Sequence, residues 1–179
     1  MQRLVGTQVP DVRLTGVDGA DVDPFGASSW TVLYCFPGAF APGTHGYPRN
    51  WGDIPGAGGC TLESLTYRDR AAAFAAAGAV VRGVSTQRPD QLEDFSASVD
   101  LPFPLLSDQD SRLTAALRLP AFRASGQLRL KRLTLLVDPE RRIRAVQFPI
   151  LDPAGSVDEA LDLLGDLAGE GPQEGAVHR

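Results

Sequence analysis

The chain has 179 residues, a formal net charge of -5 and 43% hydrophobic residues, which is typical of one globular domain with its own core. The acidic balance, 17 basic against 22 acidic side chains, argues against nucleic acid or an anionic membrane as the main partner. No apolar run reaches the length of a signal peptide core or a membrane span. We therefore expect a cytoplasmic protein, in a compartment that keeps thiols reduced.

Cysteine and histidine are scarce, which limits the chemistry further. The chain has two cysteines, Cys35 and Cys60, and they do not form a C-x-x-C pair. Its two histidines, His45 and His178, show no spacing typical of metal ligands. We therefore expect neither a disulfide framework nor a metal site.

The first part of the chain predicts a hairpin, a buried strand, a long loop and a helix. Residues 10–24 alternate apolar and polar side chains around a tight turn. Residues 30–36, "WTVLYCF", form the continuous apolar run of a central strand. The following loop, 37–59, is rich in glycine and proline, and a loop of this length is usually functional. Residues 61–77 are rich in Ala, Leu and Glu and predict a helix that ends at Gly78.

The rest of the chain predicts alternating strands and helices. We expect them in the order strand 79–86, helix 89–99, strand 102–108, helix 111–119, strands 132–138 and 142–148, and helix 156–168. This order indicates a thioredoxin-like α/β fold, in which helices flank a central mixed sheet and an N-terminal β-hairpin comes first. A single domain over residues 1–168 follows, with a disordered tail at 169–179.

Cys60 lies where a glycine-rich loop meets the front of the predicted helix. Unpaired N–H groups and the positive end of the helix dipole stabilise a thiolate at such a position. Glu63, in the first turn, is expected to reach back and cap free amides. The alternative is an inert, packed thiol, which is the commoner role of a free cysteine. Phosphate binding by "GAGGCT" is disfavoured because the lysine of a P-loop is missing.

Five segments in register resemble one enzyme family. The run "CTLESLTYRD" from Cys60 is similar to the C-T-x-E-x-x-x-[FY]-R-D motif of the bacterioferritin-comigratory (Q-type) peroxiredoxins, within the alkyl hydroperoxide reductase and thiol-specific antioxidant family. Similar matches are "VGTQVPDVRLTGVDG", "TVLYCFPGAFAPG", "PFPLLSD" and "RLTLLVD". They extend in order from residue 5 to about residue 165.

The resemblance implies a thiol-dependent peroxidase that reduces hydrogen peroxide and organic hydroperoxides through a cysteine sulfenic acid. Cys60 then corresponds to the peroxidatic cysteine and Arg132 to the catalytic arginine. The chemistry is consistent with this, because arginine keeps its charge and presents several donors to a thiolate and a peroxide oxygen. No metal, flavin or haem is expected, because the sulfur itself is oxidised and reduced.

The chain departs from the family motif P-x-x-x-T-x-x-C. Pro37 keeps the start of that motif, but Ala41 takes the threonine position, and loop 42–59 contains an insertion before the cysteine. Thr44, Thr61 or backbone amides are left as substitutes for the missing hydroxyl. We assign Pro37, Thr61 and Gly59 to the substrate pocket.

The second departure concerns the resolving thiol. Many relatives carry a second cysteine five residues after the first, where this chain has Leu65. Either Cys35 resolves the sulfenic acid, or thioredoxin, glutaredoxin or a low-molecular-weight thiol does so. Both a monomer and a homodimer are compatible with the resemblance.

Two other functions remain open. A redox-sensing or binding module of the same fold would oxidise slowly and signal through a partner; the missing threonine motivates this alternative. A disulfide oxidoreductase is disfavoured because the chain lacks C-x-x-C.

Overall fold

The computed structural model describes residues 1–170. Its last helix ends at Gly169, so most of the tail predicted to be disordered, and His178 with it, lies outside the described residues. Within residues 1–170, no helix combines the length and the apolar run needed to cross a membrane.

Residues 1–170 contain nine strands and four α-helices. In chain order they are β1 (Leu14–Gly16), β2 (Asp21–Val22), β3 (Trp30–Cys35), α1 (Cys60–Ala76), β4 (Ala79–Ser85), α2 (Pro89–Ser98), β5 (Leu105–Ser107), α3 (Arg112–Leu117), β6 (Ala121–Ala124), β7 (Gln127–Leu130), β8 (Leu133–Val137), β9 (Ile143–Gln147) and α4 (Gly155–Gly169). Short 3₁₀ turns cover Gln2–Leu4 and Trp51–Asp53.

Seven of the strands form one mixed sheet in the order β2-β1-β5-β4-β3-β8-β9. β3, β4 and β5 run parallel, while β8 and β9 are antiparallel additions at one side and the β1–β2 hairpin lies at the other. The predicted fold class, a thioredoxin-like sheet flanked by helices, is confirmed by this topology and by the solved structures described below.

The two faces of the sheet bury separate apolar clusters. α1, α2 and α4 cover one face, where Val32, Tyr34 and Phe36 contact them. On the other face, Leu33 and Cys35 pack with α3 and the N-terminal segment. Alternate residues of β3 therefore point to opposite sides, as the pleat requires.

The antiparallel hairpin of β6 and β7 was not predicted. It forms a separate two-stranded sheet joined at Ser125 and Gly126, both of which have positive φ. Such a two-residue turn favours a glycine at its second position. The segment "AFRASGQLRL" carries this turn signal, but its strands are short and half-exposed, so the apolar pattern is weak.

The topology brings three separate parts of the chain to one end of the sheet. β3 ends at Cys35, and its antiparallel neighbour β8 begins beside that end, with Leu133 opposite Cys35. Arg132 immediately precedes β8, and the first residue of α1 is Cys60. The end of β3, the start of β8 and the start of α1 therefore surround one small volume.

Candidate active site

Cys60 is the first residue of α1, and a glycine with positive φ precedes it. Gly59 is the N-cap and has φ of 94°, a conformation that residues with a Cβ rarely adopt. A Cβ at this position would also stand only 2.7 Å from Cγ of Pro153. Both observations require glycine just before the cysteine.

The Cys60 sulfur is surrounded by polar groups from three segments. As a thiol it donates a hydrogen bond to the carbonyl of Ala57, with Sγ 3.4 Å from the oxygen. Nη2 of Arg132 donates to the sulfur at 3.2 Å and to the carbonyl of Gly58 at 2.8 Å. The backbone N–H of Gly38 is close enough to the sulfur to lower the pKa of the thiol. When the thiol ionises, the guanidinium and this N–H become donors to a negative sulfur.

Glu63 forms a buried ion pair with Arg132 through its Oε2 atom, while Oε1 has no hydrogen-bond partner within residues 1–170. This corrects the prediction that Glu63 caps the helix, since α1 has no side-chain cap. The position explains the difference: Glu63 lies three residues after Cys60 on the buried face of α1, where Arg132 is the available cation.

Burial decides the direction of two pKa values here. Cys60 is 3% exposed, and desolvation raises the pKa of its thiol, although Arg132 and the Gly38 amide oppose this rise. Desolvation likewise raises the pKa of Glu63 to about 7 despite its pairing with Arg132. The prediction that the helix start makes this thiol ionise readily is therefore corrected, because burial outweighs the stabilisation of the thiolate. Once ionised, such a thiolate is the stronger nucleophile, because nucleophilicity rises with pKa.

Buried aromatic residues hold α1 against the sheet and thereby fix Cys60. The rings of Tyr34, on β3, and Tyr67, on α1, stack with centroids 4.4 Å apart. The Tyr34 hydroxyl shares a 3.0 Å hydrogen bond with Ser64, and the Tyr67 hydroxyl lies 3.4 Å from that of Thr134 on β8. The helix is thus tied to both strands that border the site.

The residues assigned to the substrate pocket lie near the sulfur to different degrees. Pro37 is buried two residues after the end of β3 and precedes the Gly38 amide. Gly59 lies beside Arg132, since a Cβ there would be 3.8 Å from Nη2. Thr61 is half-exposed in the first turn of α1. Thr44 is exposed and its hydroxyl donates to the carbonyl of Ala41, so it does not substitute for the missing threonine at Cys60.

Cys35, the candidate resolving residue, is fully buried on the other face of the sheet. It belongs to the apolar cluster with Leu33 and Leu135, whereas Cys60 belongs to the cluster under α1. Both thiols are free. A disulfide between them would require one side chain to pass through the sheet, so this arrangement argues against direct resolution by Cys35.

An apolar cleft of about 230 Å³ opens beside Arg132. Phe122, Phe148 and Ile150 line it together with Pro55 from the long loop. Leu151, at its edge, is 92% exposed. The cleft joins a fixed cation to an apolar wall, which suits a peroxide that carries a hydrocarbon group.

Sequence reasoning missed two charged residues near this site. One is Glu63 in its role as partner of Arg132. The other is Arg129 on β7, which is buried between Phe40 and Trp51. The helical spacing of Cys60 and Glu63 signals the first, whereas the second depends on how the unpredicted hairpin meets the long loop.

Comparisons with known proteins agree with this geometry. The model of the AhpC/TSA family matches residues 54–146, a range that includes both Cys60 and Arg132. Peroxiredoxin Bcp of Bacillus subtilis is 28% identical over 168 residues, which cover 92% of this chain and 96% of that protein.

Solved structures extend the likeness to the fold. Peroxidoxin BcpB from Mycobacterium tuberculosis superposes with a TM-score of 0.74 at 25% identity, over 91% of this chain and 97% of that chain. The Xanthomonas campestris bacterioferritin comigratory protein, described for its alkyl peroxide reduction activity, superposes with a TM-score of 0.69 at 27% identity, over 90% and 97%. The chain therefore belongs to the AhpC/TSA family, as a bacterioferritin-comigratory (Q-type) peroxiredoxin, and its function is that of a thiol-dependent peroxidase.

Proposed function

We propose that Cys60 is the peroxidatic nucleophile of this peroxidase and that Arg132 stabilises the charge that develops during its reaction. The observation that carries this proposal is the 3.2 Å contact between Arg132 Nη2 and the Cys60 sulfur. Arg132 is itself held by Glu63 and by the Gly58 carbonyl, so its donors are fixed before the peroxide arrives.

In the oxidation step the Cys60 thiolate attacks one oxygen of the peroxide. The sulfur–oxygen bond forms as the O–O bond breaks, and the other oxygen leaves as an alkoxide or hydroxide that takes up a proton. Cys60 becomes a sulfenic acid, and the peroxide is reduced to water or an alcohol. The guanidinium stabilises negative charge on the oxygens, and the Gly38 amide acts on the sulfur.

In the reduction step an external thiol condenses with the sulfenic acid and releases water, and a second thiol then frees Cys60. The separation of the two cysteines by the sheet supports a cycle that uses one protein thiol. Thioredoxin, glutaredoxin and low-molecular-weight thiols are the candidate reductants. Cys35→Ala is expected to retain turnover within about twofold, since neither step uses Cys35.

The apolar cleft beside Arg132 supports organic hydroperoxides as substrates in addition to hydrogen peroxide. A hydrocarbon group would contact Phe122 and Phe148 while the peroxide oxygens face the guanidinium. Replacing Phe148 by Ser is expected to raise KM for cumene hydroperoxide more than for hydrogen peroxide, because only the first has apolar surface to bury.

We further propose that the enzyme acts in the cytoplasm as a single domain spanning residues 1–168. Both cysteines are free, which fits a compartment that keeps thiols reduced.

The test is a single-turnover measurement without added cofactor. The purified protein is expected to consume about one equivalent of hydrogen peroxide, and Cys60→Ser none, because the nucleophile is missing. Equal consumption by the variant would contradict the assignment of Cys60.

The burial of Cys60 favours one second function, that of a redox sensor. A cysteine residue that is 3% exposed, with a raised thiol pKa, oxidises slowly unless the site opens. Turnover with a saturating thiol separates the two functions: an enzyme cycles many times, whereas a sensor stops after one oxidation and binds a partner.

A further inference from the structure

Arg129 is a buried cation between two aromatic rings. Arg129 as a whole is 6% exposed. The guanidinium carbon lies 5.6 Å from the ring centroid of Phe40 and 5.9 Å from that of Trp51. Trp51 belongs to the inserted segment of loop 42–59, so the insertion supplies half of this aromatic cage.

The Arg129 side chain lacks the polar partners that a buried charge normally has. Within residues 1–170, its Nε atom has no hydrogen-bond partner, and none of the ion pairs there includes Arg129. Aromatic rings stabilise a guanidinium only in part, and a buried charge usually requires an anion. The arrangement thus has the form of an anion site.

Arg129 lines an open cleft of about 480 Å³. Arg88, His45, Gln91, Gln109 and Gln127 face the same cleft. One carboxylate, Asp110, also lines it, but this group pairs with Arg112. Arg88 pairs with Asp90, so within residues 1–170 Arg129 is the arginine of this cleft without a carboxylate partner, and several carboxamides share the cleft with it. This combination suits a small ligand with a carboxylate and peptide-like groups.

The Arg129 guanidinium approaches the active site at Gly38. A Cβ on Gly38 would stand 3.6 Å from Nη1 of Arg129, and the N–H of the same residue acts on the Cys60 sulfur. The charge of the Cys60 thiolate also acts on Arg129, raising a pKa that burial lowers. Gly38 therefore neighbours both the Arg129 guanidinium and the Cys60 sulfur, and a ligand bound to Arg129 lies close to the active site.

We propose that Arg129 binds the carboxylate of the small thiol that reduces oxidised Cys60, with the Phe40–Trp51 cage holding the guanidinium and the adjoining carboxamides binding the rest of the molecule. The inference rests on the proposed one-cysteine cycle, which needs an external thiol at this site. It names the class of that reductant: a low-molecular-weight thiol that carries a carboxylate.

The bound thiol itself supplies the two electrons that reduce the Cys60 sulfenic acid. The sulfur of the bound thiol attacks the sulfenic sulfur, and a disulfide forms. The sulfenic oxygen leaves as water, which carries the proton of the sulfenic acid and the proton of the thiol. The thiol sulfur is oxidised and the Cys60 sulfur reduced. A second molecule of thiol then displaces Cys60 from the mixed disulfide and returns it to the thiol form.

Binding can be measured without any reaction. The chain has two tryptophans, so Trp30→Phe leaves Trp51, next to Arg129, as the only indole. S-methylglutathione, which has carboxylates but no free thiol, is expected to change the emission of Trp51 saturably. Arg129→Gln is expected to weaken this binding about tenfold or more, because a charge-assisted hydrogen bond is lost. Absence of saturable binding to the parent overturns the proposal.

Reduction of the sulfenic acid tests the chemistry. Stopped-flow rates are compared for glutathione and for its diethyl ester, which lacks free carboxylates. In Arg129→Gln the ratio of the two rates is expected to fall about tenfold relative to the parent. Arg123→Gln, which removes the same charge from the exposed side of the same hairpin, should leave this ratio unchanged. A ratio that is unaltered in Arg129→Gln contradicts the proposal.

Two further measurements distinguish a thiol site from a folding defect and from a peroxide site. A folding defect slows reduction by glutathione and by its diethyl ester equally, so it leaves the ratio of the two rates unchanged. Arg129→Lys, which keeps the charge, is expected to restore part of the preference for glutathione over the ester. If instead Arg129→Gln selectively slows oxidation by linoleic acid hydroperoxide relative to its methyl ester, the carboxylate belongs to the peroxide and the assignment to the thiol is wrong. If Cys60 forms no sulfenic acid at all, the proposed function fails, while binding of S-methylglutathione still reports on Arg129.

Discussion

The two cysteines of this chain differ in charge environment, not in burial. Cys35 is 0% exposed and Cys60 3% exposed, yet they lie on opposite faces of the sheet. Burial, and the negative charges of Asp108 and Glu63, raise the pKa of Cys35 far above its ordinary value. At Cys60 burial also raises the pKa, but Arg132 and the Gly38 amide oppose it. A fixed cation distinguishes a reactive buried thiol from an inert one.

The most sensitive test of this comparison is alkylation of the two thiols in the native protein. Cys60 needs only a local opening, whereas Cys35 is expected to react only through global unfolding. Unfolding costs about 5–15 kcal/mol, so the rates should differ at least about a thousandfold. Peptide mapping after timed iodoacetamide labelling gives both rates. Equal rates would show that the sheet does not separate the two environments.

Removing the cation should make Cys60 resemble Cys35. Arg132→Gln is expected to lower kcat/KM for hydrogen peroxide about 10²–10³-fold, as loss of a fixed donor to the reacting atoms does. It also leaves Glu63 buried without a partner, at a cost of up to about 3–5 kcal/mol in stability. The double variant Arg132→Gln with Glu63→Gln should regain stability but not activity; recovery of both would mean that Arg132 acts only through folding.

Gly59 sharpens the comparison, because Cys60, unlike Cys35, directly follows a residue with positive φ. Gly59→Ala is expected to lower the free energy of unfolding by about 1–3 kcal/mol, since a methyl group there meets Pro153. The matched control is Gly52→Ala, in the same loop with open space around it, which should change stability by less than about 0.5 kcal/mol. Urea denaturation measures both. Similar losses in the two variants would indicate general sensitivity of the loop.

Glu63 gives the smallest and most specific effect. Its negative charge raises the pKa of Cys60, so Glu63→Gln should shift the rise of the oxidation rate with pH to lower pH. Since burial raises the pKa of Glu63 from 4.5 to about 7, the folded state binds the proton more tightly than the unfolded state. The free energy of unfolding of the parent, relative to that of Glu63→Gln, should therefore decrease as pH rises from 4.5 to 7 and change little above pH 7. The opposite slope would mean that the ion pair outweighs desolvation.

Most of the fold follows from local patterns, but the site does so only in part. Continuous apolar runs located β3, β4 and β8 to within about two residues, because these strands are buried on both faces. The motif around Cys60 and the resemblance at Arg132 identified the two groups in contact. The cap expected of Glu63 was wrong because helix periodicity and the attraction of a buried cation outweighed a local preference.

The remaining features depend on contacts between distant segments. The cage around Arg129 arises where the inserted loop packs on the hairpin of β6 and β7. Neither segment has the periodicity that would predict its partner. For the same reason, the position of Cys35 on the opposite face required the sheet topology and the register of β3 with β8.

The most direct test of the central claim is mass spectrometry of the intact protein and of its peptides after one equivalent of hydrogen peroxide, with dimedone present to trap sulfenic acid. We predict a dimedone adduct on Cys60 and an unmodified Cys35, because only the sulfur beside Arg132 meets the peroxide. Loss of two hydrogens from a bridge between Cys35 and Cys60, or an adduct on Cys35, would contradict the account.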